Sequence, residues 1–110
     1  MTVKELAMLM DVEVYGDEEA LSKNVDSLYI GDLLSWVMGH ARENQAWLTV
    51  QSHINIIAVA LLKELSCIVI LEDADIPQET IDKAMEEHLA IISTSLDAYS
   101  FAIKYNSLKA

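Results

Sequence analysis

Three short polar stretches hold the side chains with the widest chemical repertoire: Gly31-Asp32…Ser35-Trp36, Gln51-Ser52-His53…Asn55 and Ser93-Thr94-Ser95…Asp97. Each follows a strand-like run and precedes a helix-like one. In a parallel α/β sheet such strand ends share one edge, where helix N-termini present free amides to a ligand. Amides so placed favour an anionic or phosphate-bearing group. Asp32, Trp36, Gln51, Ser52, His53, Asn55 and Thr94 are therefore the candidate ligand-binding residues, with Trp36 able to stack on a base. The competing reading is plain helix capping, for which Ser, Asp and Asn are the usual residues.

Catalytic and metal chemistry find less support. No two of the three histidines stand four residues apart, and there is neither a His-x-His nor a cysteine pair, so no metal site is expected. Ser52 and His53 are adjacent on a helix start and point to different faces, and no Gly-x-Ser-x-Gly elbow exists. Neither phosphate-binding glycine motif is present, so no nucleotide hydrolysis and no cofactor are expected. A small enzyme using His53 or His40 as general base remains an alternative, with no evident partner nearby in the chain. His88, after Glu86-Glu87, reads as an exposed imidazole at a helix end.

The elements that must position these groups follow from periodicity. Thr2-Val3-Lys4-Glu5 is a capping box, and Val3, Leu6, Ala7 and Met10 recur at helical spacing over residues 3–10. Strands are predicted at Val12–Tyr15, Asn24–Ile30, Ala46–Val50, Cys67–Leu71 and Ala90–Ser93. Asp32 is expected to cap a helix through Leu33–Met38 that weakens at Gly39, leaving His40 in a loop. Ser52 is expected to cap a helix over residues 53–65, and Pro77 suits the first turn of the next. That helix buries Ile81, Ala84, Met85 and Leu89. Ser95 is expected to cap a last helix bearing Leu96, Tyr99, Ala102 and Ile103. From residue 46 the strand–helix alternation predicts an α/β fold with a mostly parallel sheet of about five strands and flanking helices. The first two strands are left as an antiparallel flap or edge.

One hundred and ten residues make a single domain, with 3 Gly, 1 Pro and no repeat or linker. A net charge of −11, from 18 acidic and 7 basic side chains, repels phosphate backbones and anionic membranes. Neither nucleic acid nor membrane is an expected partner. Cys67, the single cysteine, lies in an apolar strand and is expected to be a buried, inert thiol. The opening MTVKEL has no apolar signal region, so a cytoplasmic address is expected.

The helix after Ser52 is unusual. Ile54–Leu62 reads Ile, Asn, Ile, Ile, Ala, Val, Ala, Leu, Leu, far broader than the ~100° stripe that packing on a sheet requires. Its outward side is apolar as well, which predicts a symmetric homodimer, the alternative being a wholly internal helix.

The stretches TVKELA, VEVYGDEEALSKNVDSLYIGD, GDLLSWVMGHA, QSHINIIAVA and SCIVILEDADIPQETIDKAMEEHLAIIST resemble the DRTGG domain family across nearly the whole chain. The resemblance implies a fold similar to the N-terminal domains of HPr kinase/phosphorylase and the muramyl ligases. It also implies a domain without demonstrated catalysis, typically attached to CBS domains, phosphotransacetylases or kinases and often mediating dimer contacts. The family's name-giving Asp-Arg step falls at the end of the third strand, where this chain has Ser52-His53, so no family binding role passes to that pair. With no phosphate loop, kinase activity is not expected.

The expected function is thus a non-catalytic, homodimeric regulatory or interaction domain binding a small anionic metabolite or nucleotide at its strand ends. An assembly subunit docking its apolar helix on another protein is the alternative from a different class.

Overall fold

The computed structural model describes residues 1–109. Its elements are α1 (Val3–Met10), β1 (Glu13–Tyr15), α2 (Glu18–Leu21), β2 (Ser27–Ile30), α3 (Leu34–His40), β3 (Gln45–Thr49), α4 (Asn55–Leu62), β4 (Cys67–Ile70), α5 (Gln78–Glu86), β5 (Ala90–Ser93) and α6 (Ala98–Lys109). The capping box is present, with Glu5 N to Thr2 Oγ1 at 3.1 Å and Thr2 N to Glu5 Oε1 at 2.9 Å.

One five-stranded sheet runs β1-β5-β4-β3-β2. β2 to β5 are parallel, and only β1 pairs antiparallel, with β5. The first two strands therefore do not pair with each other; they form opposite edges of the sheet. Consecutive parallel strands are neighbours, as short crossovers through α3, α4 and α5 require.

Period-2 alternation sends the central strands' side chains to two cores. Ala46, Leu48, Cys67, Val69, Leu71, Ala90 and Ile92 pack under α1, α2 and α6. Trp47, Ile68, Ile70 and Ile91 pack under α3, α4 and α5. Every residue of β3 and β4 is buried, the mark of strands covered on both faces. Cys67 is among them, and burial pushes its thiol pKa up to about 12.

The α4 helix is shorter than the predicted 53–65. Its own chain buries Ile56, Ile57, Val59 and Ala60, while Ala58, Leu61 and Leu62 stay exposed. For α6 the expected apolar side is the wrong one. Phe101 and Tyr105 are buried, whereas Tyr99 is 75% and Ile103 51% exposed. Apolar residues occur on both sides of α6, and it is the Phe101–Tyr105 side that packs on the core.

Candidate functional site

The parallel strands end on one edge, so the predicted polar stretches do share it. Two of the three meet directly, because β2 and β3 are neighbours. Asp32 Oδ1 accepts from Thr49 Oγ1 at 2.8 Å and from the Val50 amide at 2.9 Å. Gln51 Nε2 donates to the Asp32 carbonyl at 3.1 Å, and the Gln51 amide donates to Thr49 Oγ1 at 3.1 Å. Asp32 thus staples two strand ends instead of capping α3, whose N-cap, Leu33, makes no side-chain cap. The staple's other half, Thr49, reads in sequence only as a strand residue.

Ser52 does not cap α4 either. The N-cap is Ile54, and His53 Nδ1 accepts from the Asn55 amide at 3.2 Å. The rest of the His53 side chain is exposed. The Ser52 carbonyl takes Thr80 Oγ1 of α5 at 2.8 Å. The Ser52 hydroxyl and the Asn55 side chain hold no hydrogen bond to the described residues, so both stand open at the start of α4.

Trp36 is 59% exposed, and its ring stacks on His40 with centroids 4.2 Å apart and planes 23° from parallel. His40 is the last residue of α3 rather than a loop residue, and its Nδ1 donates to the Trp36 carbonyl at 2.9 Å. One face of the indole is backed and the other open. Val37, not Trp36, fills the core under this helix.

Thr94 stands apart, two strands away across β4, or about 10 Å at ordinary strand spacing. It is buried, its Oγ1 accepting the Leu96 amide at 3.1 Å and its carbonyl the Asp73 amide at 3.0 Å. It lines a separate concavity of about 370 Å³ with Asp11, Asp73, Ser95 and Lys104. Nearby, Asp97, not Ser95, caps α6, accepting the Ser100 amide at 2.8 Å.

Another concavity, about 690 Å³, lies at the opposite, N-terminal edge between the ends of α3 and α4. There Arg42 and Lys63 face Asp26, Glu43 and Glu64. Helix C-termini and an excess of carboxylates make it a poor anion site. Among the described residues no group of three His, Cys, Asp or Glu side chains could hold a metal ion. No described helix is long and apolar enough to cross a membrane.

A family model described as the DRTGG domain matches residues 5–108. The chain is similar to a crystal structure of the CBS and DRTGG domains of the regulatory region of a Clostridium perfringens pyrophosphatase, complexed with its activator, diadenosine tetraphosphate. The TM-score is 0.71 at 13% identity, covering 93% of this chain and 44% of that one. The chain spans less than half of that structure's length, and at such identity the likeness shows the fold alone. No curated protein matches the chain.

Proposed function

The chain belongs to the DRTGG domain family, and from that premise we propose that it is a regulatory, ligand-binding domain without catalysis of its own. The ligand is a small anionic metabolite, best a nucleotide, held at the ends of β2 and β3. The observation carrying this reading is the stapled Asp32–Thr49–Gln51 corner, which fixes the open Ser52, His53 and Asn55 groups at the start of α4. Trp36, backed by His40, supplies a flat apolar face for a base, which favours a nucleotide over a bare anion such as phosphate. Asp32 carries a like charge, and the Asn55, Ile56 and Ile57 amides are already taken by His53 and Ile54, so the phosphate falls to the open Ser52 hydroxyl and Asn55 side chain, favoured by the helix dipole. Thr94 lies in the other concavity and is not part of this ligand's shell.

The domain works as a homodimer paired along α3 and α4. Leu62, 71% exposed, together with Leu61, Ala58 and Leu33, supports that reading. Between Leu33 and His40, and between Ile54 and Leu62, there is no Asp, Glu, Lys or Arg, so two chains of −11 repel least along this side.

A thermal-shift screen of nucleotides against inorganic phosphate tests the ligand. A nucleotide at one hundred times its dissociation constant adds ~2.7 kcal/mol of stability. Trp36→Ala and His53→Ala each weaken that shift. A shift equal in both variants would place the ligand elsewhere, and no shift with any nucleotide would favour a docking subunit.

A further inference from the structure

We propose that Asp17 and His88 form a pH-operated clasp holding the end of β1 and the start of α2 against the turn between α5 and β5. The pairing is independent of the ligand rim and lies toward the other end of the sheet. His88 Nδ1 stands 2.5 Å from Asp17 Oδ2, across 71 residues of sequence. The second carboxylate oxygen, Asp17 Oδ1, accepts the Ala20 amide at 2.9 Å, so one side chain both caps α2 and holds the imidazole. Lys23, just past α2, donates its Nζ to the His88 carbonyl at 2.7 Å and adds a second tie to the same turn.

The backbone brings these groups together. His88 takes a left-handed conformation, φ 56°, two residues before β5. At Gly16 a Cβ would stand 3.1 Å from the Ala90 Cβ, so a side chain there would press the two segments apart beside the clasp. β1 has only three residues and a single partner strand. Its attachment therefore leans on ties at its ends more than that of any strand paired on both sides.

The charged groups acting on the ring are Asp17 and Glu19, which favour the imidazolium, and Lys23, which opposes it. Glu86, the last residue of α5, and Glu87, its C-cap, are engaged by Lys83, at 3.6 and 3.2 Å. The Asp17 hydrogen bond, then the Glu19 and Asp17 charges, hold the His88 pKa above the ordinary histidine value. The Asp17 pKa is lowered, first by the Ala20 amide and then by His88. A raised histidine contributes fully below its unfolded pKa of ~6.5 and loses its contribution as pH rises through the raised folded value. A lowered carboxylate contributes above its unfolded ~3.9 and loses it as pH falls through the depressed value. The clasp is closed between those limits and opens on the alkaline side as pH rises through the raised His88 value.

Hydrogen exchange of residues 14–22, corrected for intrinsic rates and followed from pH 6 to pH 8.5 alongside an NMR titration of the imidazoles, tests this. In the wild type, protection falls about two- to fivefold, as suits a half-exposed pair, with a midpoint that tracks His88. Asp17→Asn keeps the cap and His88→Asn keeps the left-handed backbone, so both variants fold, and both lose the pH dependence. His40→Asn/His53→Asn retains it. Flat protection in the wild type, or the same fall in Asp17→Asn and His88→Asn, overturns the proposal.

Discussion

At the scale of single residues, the rim depends on one hydroxyl. Thr49 Oγ1 donates to Asp32 and accepts from Gln51, and it is buried, so water cannot replace it readily. Thr49→Val keeps the shape and removes both bonds, which is expected to cost about 1 kcal/mol in urea denaturation. Nucleotide binding should weaken with it, since the corner no longer fixes Gln51. Cys67, with its pKa near 12, should resist thiol reagents at pH 8 in the native protein and react only on unfolding. The residue types of the candidate site were legible in the sequence, but several roles were not. Asp32, Ser52 and Ser95 all read as caps, because capping residues also suit strand-end turns. Only the backbone decides which amide each oxygen meets, and for Asp32 that amide is Val50 across a strand boundary. Nor could any local pattern reveal Asp17–His88, since 71 residues separate the pair.

Elements were more legible than residues, because periodicity is a local signal that packing then confirms. α1 appears with its predicted bounds and buries the four predicted residues Val3, Leu6, Ala7 and Met10. The strands appear where β-branched and aromatic runs placed them, with ends that differ by at most three residues, and the third begins one residue earlier, at Gln45. Pattern failed where it carried no contrast. α6 has apolar residues on both sides, so its buried face could not be chosen from spacing alone. In α4 the same ambiguity has an energetic consequence that can be measured. Ile57, 1% exposed, and Leu62, 71% exposed, look alike in sequence but should behave oppositely. Ile57→Ala is expected to destabilise the fold by about 2–5 kcal/mol. Leu62→Glu should leave the stability of the monomer, read at dilutions where the wild type no longer pairs, within about 0.5 kcal/mol, because nothing in its own chain covers that side chain. Denaturant titrations of the two variants side by side check the contrast.

For the whole molecule, charge and topology set what the domain can meet. The sheet order places the two earliest strands at opposite edges, which no local signal could show, since the chain passes β4 and β5 before closing on β1. With −11 on each chain, self-association along α3 and α4 works against electrostatic repulsion that salt screens. Light scattering is thus expected to give twice the 12.3 kDa chain mass, more completely at 0.5 M than at 0.05 M salt. Leu62→Glu should reduce it to the monomer. The central claim, however, is where the ligand sits. An amide NMR titration with a nucleotide addresses it most directly, because the two edges of the sheet give separate signals. Shifts confined to residues 31–36 and 50–55 are predicted. Shifts gathered instead around Asp26, Arg42 and Lys63, or none at millimolar nucleotide, would contradict the account.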